Sequence, residues 1–442
     1  MITPTFTIRQ DNNFIFLDVK APFIKAANVE IVADGNLVSF CINPYFLKLE
    51  LPGRVIDDEN AKASYDVSEG VVHVQFPKET PGEDFPNLDM LSTMMVKKES
   101  NILKKPLIQE MDAPSDPSCP PGPVPEPQID WQKVHFDDPD FDWGLLQRIE
   151  DQKMNYTSTT HYGFNDQYSG FLKYNALVGN EVNDLEDPER TSVEERKELR
   201  IKLEDEKFDP DYYLADFFDS EQIDEVIKFV PEYRKTYQQF SAGETVPFEF
   251  TEEERRVLMQ LPRREYLISN PKKIYLNLIE LIFAYAYDHR TTYGEPTTES
   301  AWTTGKLAVN ISSLDNDFNN VKQVAIACAR RSLTFPLYRN WSLFQTCWED
   351  TFEILRLGRR YILRTLLAIR NLFEHHDVYH IYNRLLIDDY AYWCQTANDN
   401  VLLALAQQVK ECHITKSETG WELDEIERSA VEVEHEGQGQ SD

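Results

Sequence analysis

The stretch VAIACARRSLTFPLYRNWSL, residues Val324–Leu343, decides how the rest of this chain is interpreted. Apolar and small residues recur there every three or four positions, which predicts a helix that ends in the arginine pair Arg330 and Arg331. Pro336 must break that helix, because proline fixes its own φ and lacks an amide proton, and it should push Phe335 toward an extended conformation. The break gathers two aromatic rings, a leucine and an arginine around one bend. Such a cluster is typical either of a corner of the core or of an interface anchor.

Charge is the unusual feature of the composition. The 442 residues are enough for two or three domains, and 41% of them are hydrophobic. The chain holds 76 acidic and 45 basic residues, which gives a net charge of −31. A surface this acidic repels nucleic acid and anionic membranes, so we expect neither to bind directly. The same charge would attract a basic partner, or it simply keeps the protein in solution.

The cysteines and the N-terminal residues indicate the compartment. The six cysteines show no CxxC spacing and lie mostly in apolar contexts, where free cysteine behaves as a small hydrophobe. The first residues, MITPTFTIRQ, do not have the pattern of a signal peptide, and no apolar run reaches membrane-spanning length. We therefore expect a reduced intracellular environment.

Residues 1–85 predict an all-β sandwich. Short alternating segments are separated by turn residues such as Asp34-Gly35-Asn36 and Pro52-Gly53, and no helical pattern interrupts them. About seven strands are expected, which is the number in many sandwiches. The strands that the pattern predicts include Phe14–Val19, Val29–Val32, Leu37–Ile42, Phe46–Leu51, Ser64–Val67 and Val71–Phe76.

Residues 86–128 predict a connector. Leu88–Lys98 is expected to form a short helix and Pro106–Glu110 a docking strand. Asp112–Pro127 has seven prolines in sixteen residues, which predicts an extended spacer. A proline-rich ligand for SH3 or WW domains is the alternative interpretation.

Residues 129–416 predict a mostly helical domain, followed by an acidic tail at 417–442. Ile274–Tyr287 is hydrophobic almost all round and predicts a central helix, with a loop from Asp288 to Pro296 after it. Thr351–Phe373 predicts an amphipathic helix whose arginines either hold an anion or neutralise surrounding acids. Turn and cap residues predict further helices at Asp211–Phe218, Ser220–Phe229, Arg255–Leu261, Tyr382–Thr396 and Asn398–Cys412.

Motifs for catalysis are not found in the sequence. Gly305-Lys306 is followed by Leu307 with no glycine at the P-loop offset, and no nucleophile elbow is present. His376 and His380 are one helical turn apart, a spacing compatible with zinc, but no cysteine or carboxylate signature flanks them and a surface histidine cluster is the favoured explanation. We therefore expect no catalytic residue, no metal and no cofactor, and a metal-dependent enzyme using these two histidines is one rival hypothesis.

Six segments, taken in order, resemble the SHQ-type assembly factors of box H/ACA ribonucleoproteins. The segments that carry the resemblance are Pro106–Glu110 (PLIQE), the Tyr162–Gly170 loop, Phe250–Tyr266, Glu299–Leu307 (ESAWTTGKL), Arg330–Arg339 (RRSLTFPLYR) and Thr415–Glu427 (TKSETGWELDEIE). The strand ending in Leu51-Pro52-Gly53 is in addition similar to CS domains. The resemblance implies a multidomain chain: an N-terminal CS sandwich with the α-crystallin-like fold, and a C-terminal, mostly α-helical SHQ-specific domain.

The resemblance also implies a function. SHQ-type factors hold the free pseudouridine synthase subunit (dyskerin, called Cbf-five in yeasts) before RNA arrives. Their helical domain occupies the basic RNA-binding surface of the synthase as an RNA mimic. For this chain it implies a monomeric assembly chaperone of the cytoplasm and nucleoplasm. The net charge independently favours a positive partner.

Ten residues are candidates for contact with that partner. Each has another explanation: Trp302 and Tyr338 are equally compatible with the core, Glu299 with a helix cap, and the tail with a disordered solubilising segment. The candidates are His289, Arg290, Glu295, Glu299, Trp302, Tyr338, Arg339, Trp421, Leu423 and Glu425.

A second rival is a general co-chaperone adaptor that delivers clients to a heat-shock chaperone through the CS domain. Several co-chaperones with this fold dock there with tryptophan and basic residues. Residues 1–85 contain no tryptophan, which argues against this hypothesis.

Overall fold

A computed structural model describes residues 3–21, 30–42, 45–58, 61–66, 70–95, 160–173, 179–244, 246–262, 264 and 266–438. The predicted docking strand at 106–110 and the proline-rich spacer at 112–127 lie outside these residues.

Two antiparallel sheets form the N-terminal region. The strands are β1 (Thr5–Gln10), β2 (Phe14–Lys20), β3 (Glu30–Asp34), β4 (Leu37–Ile42), β5 (Tyr45–Glu50), β6 (Lys62–Asp66) and β7 (Val71–Pro77). One sheet has the order β1-β2-β7-β6 and the other β3-β4-β5. Alternate residues of β2, namely Ile15, Leu17 and Val19, are buried, as expected for strands that cover a core on one face. The predicted seven-stranded sandwich is confirmed.

The rest of the described chain is mostly helical, which confirms the second half of the predicted fold class. The helices are α1 (Leu91–Met94), α2 (Val193–Lys207), α3 (Pro210–Phe218), α4 (Glu221–Lys228), α5 (Glu232–Ser241), α6 (Glu252–Gln260), α7 (Pro271–Thr291), α8 (Ser300–Leu307), α9 (Val309–Ser312), α10 (Val321–Thr334), α11 (Trp341–Arg356), α12 (Arg359–Glu374), α13 (Asp388–Cys394), α14 (Asp399–Glu411) and α15 (Leu423–Gln438). None of the helices in the described ranges is long and apolar enough to cross a bilayer.

Helix α7 is the central helix, as its sequence predicts. Leu278, Ile282 and Phe283 are fully buried. The helix continues to Thr291. The prediction that a loop begins at Asp288 was therefore wrong for Asp288–Thr291, which are helical. The extra turn forms because Arg290 finds partners on two other helices, described below.

The backbone differs from the sequence prediction at Phe335 and at Gly358. Phe335 is helical, with φ −103° and ψ −45°, and not extended. Its amide donates to the Arg331 carbonyl at 3.1 Å, and its ring lies 4.0 Å from the Arg331 guanidinium carbon. The predicted amphipathic helix at 351–373 is two helices, because Gly358 has φ 85° and ψ −178° and separates α11 from α12.

The sandwich packs directly against the helices. The Ser92 hydroxyl donates to the Leu258 carbonyl on α6, and Met259 packs against the sandwich core. Arg360 of α12 forms a two-pronged ion pair with Asp89. A hydrogen bond, an apolar contact and an ion pair therefore join the two regions. The sandwich and the helices belong to one compact unit.

We predict that Gly358→Ala lowers the free energy of unfolding by about 1–3 kcal/mol, because its backbone lies in a region that is essentially restricted to glycine. Gly420→Ala is the matched control. Gly420 also has positive φ (86°) but ψ 0°, a left-handed conformation that L-residues can adopt at a cost of about 1–2 kcal/mol. Urea unfolding of the full chain measures both. Equal losses would contradict the claim that Gly358 is required by its backbone.

Candidate partner-binding surface

The arginine pair at the end of α10 points into the protein. The Arg330 guanidinium donates to Glu204 at 2.6 Å and to the Thr419 carbonyl at 2.6 Å. Arg331 donates to Asp184 at 2.8 Å and is fully buried. Buried arginines are tolerated only when carboxylates and carbonyls satisfy them in this way. The first half of the decisive stretch is therefore a core corner.

The residues just after Pro336 are on the surface. Leu337 is 67% exposed, and Tyr338 and Arg339 are half-buried. The Arg339 guanidinium carbon lies 4.0 Å from the centre of the Tyr212 ring, and the Tyr212 hydroxyl donates to the Leu337 carbonyl at 3.0 Å. With Tyr293, these residues form what we call the tyrosine face: Tyr212, Tyr293, Leu337, Tyr338 and Arg339.

Tyr293 has a strained backbone. Its φ is 55°, which is unusual for a bulky residue, and its side chain is 48% exposed. The ring packs edge-on against Phe229 at 5.4 Å. Burial raises the pKa of Tyr338, and the phenol of Tyr293 raises it further. Strain that holds an aromatic side chain at the surface is typical of a binding position.

His289 supports this loop from below. Its ring stacks on Tyr285 at 5.2 Å and contacts Tyr233 at 5.5 Å. Burial lowers the pKa of His289, so the ring is neutral at physiological pH. Gly294 lies directly over the ring, where a Cβ would come within 3.3 Å. His289 thus supports the loop by packing against its neighbours and not by its charge.

Arg290 is completely buried and cannot present its guanidinium to a partner in this conformation. It donates to both oxygens of Asp350, at 2.7 and 2.9 Å. It also donates to the carbonyls of Val226, Ile227 and Phe229 at the end of α4. Arg290 therefore ties α4, α7 and α11 together beneath the surface.

The remaining candidates of the central segment differ in exposure. Glu295 is exposed in the turn after α7. Glu299 is exposed and occupies the N-cap position of α8, although its side chain makes no capping hydrogen bond. Trp302 is half-buried and packs against the helical core, which agrees with the alternative interpretation that this residue belongs to the core.

The tail is anchored at its start. Trp421 stacks on Phe208 with ring centres 4.1 Å apart, and its indole nitrogen donates to Asp205 at 3.0 Å. Leu423 is fully buried, whereas Glu425 is exposed on α15. Leu423 therefore holds the tail in place, and Glu425 is free to face a partner.

Helix α3 joins the separated candidates, and the sequence analysis did not single it out. On one side Tyr212 contacts Leu337 and Arg339, and on the other the Tyr213 hydroxyl donates to Glu427 at 2.5 Å. The signal that could have found it is its acidic and aromatic composition, PDYYLADFF. Helix α3 thus contacts the segment after the break on one of its sides and the tail on another.

Carboxylates surround the tyrosine face. Burial raises the pKa of Asp216, and its hydrogen bond from the Arg339 amide, 2.5 Å long, opposes that rise. Exposed acids on the same segments as the face are Asp211 and Glu295, and the neighbouring α4, whose Gln222 accepts from the Tyr338 hydroxyl at 3.4 Å, adds exposed Glu221 and Glu225. The surface therefore combines aromatic rings, one arginine and an excess of negative charge.

The histidine pair has a local structural role. The Nδ1 atom of His376 accepts hydrogen bonds from the amides of Val378 and Tyr379, at 3.2 and 3.1 Å. Across the described ranges, no group of three or more His, Cys, Asp or Glu residues could hold a metal ion. The side chain of His376 caps a turn, which explains it without a metal.

Comparison with known proteins gives consistent matches. The family described as SHQ1 protein, Shq1 domain, matches residues 239–423, which include Leu337–Arg339, and the SHQ1-like CS domain matches residues 3–95. The protein shq1 of Schizosaccharomyces pombe is 59% identical over 98% of this chain and 97% of its own length. SHQ1 homologs of Mus musculus (33% identical over 100% of this chain and 77% of the homolog) and Danio rerio (34% over 97% and 71%) are also similar.

We predict that Arg290→Ala destabilises the protein by about 3–5 kcal/mol, because the buried Asp350 loses its two-pronged partner and keeps only the Tyr233 hydroxyl at 3.0 Å and Arg234 at 3.7 Å. Arg339→Ala should cost about 1 kcal/mol or less, since that guanidinium is half exposed. Urea unfolding of the two full-length variants tests the difference. A mild effect of Arg290→Ala would contradict its assignment as a buried support.

Proposed function

The chain belongs to the SHQ1 family, and from this premise we propose that it is an assembly chaperone of box H/ACA ribonucleoproteins. It binds the free pseudouridine synthase subunit, of the dyskerin or Cbf-five type, and covers the RNA-binding surface of that subunit until RNA is loaded. No catalytic step and no cofactor enter the proposal.

The observation that carries the proposal is the tyrosine face with its surrounding acids. Exposed Tyr293 and half-buried Tyr338 and Arg339 are of the residue types that are typical of interface anchors, whereas isolated acids are typical of solvated surface. RNA offers a protein planar bases to stack on and phosphates to pair with. Tyrosine rings among carboxylates offer a basic cleft the same two features, so the face supports mimicry of RNA.

Rigidity of the face favours tight binding. Tyr287 donates to the Tyr338 carbonyl at 2.6 Å, and the Asp216 carboxylate accepts from the Arg339 amide at 2.5 Å. A surface that is already ordered loses little conformational entropy when the partner binds. We propose that the chain acts as a monomer in the cytoplasm and nucleoplasm.

The heat-shock adaptor hypothesis is less well supported. Three residues of the N-terminal region, Ser92, Asp89 and Lys20, contact α6 and α12 within the chain, and residues 1–85 contain no tryptophan. Retention of the heat-shock chaperone by the full chain, lost on substitution of sandwich residues alone, would favour the adaptor instead.

We predict that Leu337→Ser weakens binding of the full chain to the purified synthase about tenfold or more, since Leu337 is the most exposed apolar residue of the tyrosine face and burying a leucine side chain is worth about 1.5–3 kcal/mol. Leu267→Ser is the matched control: Leu267 is 92% exposed and lies between α6 and α7. Calorimetry measures both. If the two variants bind alike, the tyrosine face is not the interface.

We predict that electrostatic mimicry makes binding sensitive to salt and to guide RNA. Raising the ionic strength from about 0.1 M to about 1 M shortens the screening length from about 10 Å to about 3 Å and should weaken binding at least tenfold. Guide RNA should displace the chain from the synthase in a co-purification. A salt-independent affinity, or a stable complex of all three components at one groove, would contradict mimicry.

A further inference from the structure

A second surface lies on the other side of α3, away from Tyr212 and Arg339. Leu214 and Phe218, one helical turn apart, face Ile426 and Ala430 of α15, and together they line an apolar groove. Phe218 is 46% exposed although it is a large aromatic residue. We call this surface the α3–α15 groove.

Helix α15, which forms one wall of the groove, is anchored to the rest of the protein. On α15, Leu423 is fully buried, and Glu427 accepts from Tyr213 at 2.5 Å and from Lys416 at 2.6 Å. Trp421, just before the helix, is stacked on Phe208. These contacts fix the position of α15 against the rest of the protein, so the groove is formed before any partner binds.

The rim of the groove is acidic. Glu422 and Glu425 line it and are exposed, and Asp219 follows Phe218 at the end of α3. Helix α15 as a whole has six acidic residues and one arginine in its sequence LDEIERSAVEVEHEGQ. The groove therefore combines an apolar floor with a rim of one sign of charge.

We propose that the α3–α15 groove binds a basic amphipathic helix of the partner, with apolar side chains on the floor and lysine or arginine at the rim. Helix-in-groove recognition needs this combination of an apolar stripe and complementary flanking charge. A second copy of this chain fits badly, because two acidic rims would meet and repel. An anionic membrane is repelled for the same reason.

The inference rests on the proposed function in one respect: it assigns the basic helix to the synthase. The groove and the tyrosine face are nevertheless separate surfaces on opposite sides of α3. Variants of Phe218 and of Leu337 therefore test them independently.

The first experiment uses a synthetic lysine–leucine peptide of about 18 residues with leucines at positions i, i+3, i+4 and i+7, long enough to form a helix. A peptide of the same composition with no leucine stripe is the control. By fluorescence anisotropy, the full chain should bind the striped peptide about tenfold more tightly. Phe218→Ser should remove this preference, and Phe240→Ser, a phenylalanine 44% exposed on α5, should keep it.

The rim is tested with the double substitution Glu422→Gln and Glu425→Gln. It should weaken binding of the striped peptide and reduce the dependence of the affinity on salt, because two of the attracting charges are gone. Equal binding of the two peptides, or unchanged binding by Phe218→Ser, would overturn the proposal. A dimer in sedimentation that Phe218→Ser abolishes would overturn it in favour of self-association.

The second experiment measures the affinity of the same variants for the synthase. A loss in Phe218→Ser, with Phe240→Ser unchanged, supports the groove as part of the complex. If Phe218→Ser binds like the unmodified chain while Leu337→Ser is impaired, the groove proposal fails and the proposed function stands. If the unmodified chain does not bind the synthase at all, the proposed function fails and the peptide experiment alone decides the groove.

Discussion

The buried pairing of arginine with carboxylate at the end of α10 is the interaction on which the rest of the helical region depends. Arg330 and Arg331 reach Glu204 on α2, the Lys306 carbonyl on α8 and the Thr419 carbonyl before the tail. Removing one partner of such a network leaves a buried charge uncompensated, at a cost of about 3–5 kcal/mol. The bend at Pro336 is therefore fixed from inside, and the residues after it have a defined place on the surface.

The chain uses its acidic residues in two different ways. Inside, carboxylates such as Glu204 and Asp350 each satisfy an arginine and fix the relative positions of helices. Outside, acids such as Glu295 and Glu425 are exposed and contribute to the net charge of −31. Because the inner acids are neutralised in place, the negative potential available to a partner comes from the outer ones. The proposed partner surface and the stability of the fold thus depend on separate sets of acids.

The N-terminal sandwich takes part in the same body. Asp89, Asn87 and Ser92, at the end of the sandwich, contact Arg360, Arg359 and the α6 backbone. Such contacts make the sandwich a structural support for α6 and α12 in addition to any binding role of its own.

The sequence by itself determined the class of the fold, the central position of α7 and the break at Pro336. Alternation and helical spacing report which local face is apolar, and proline and glycine act within a few residues, so these features need no knowledge of distant neighbours. It also suggested Tyr338 and Arg339 as contact residues, which remains a prediction. Only the tertiary structure decided that Arg290 and Leu423 are inside. An arginine is buried only when a distant carboxylate such as Asp350 meets it, and no local pattern contains that information.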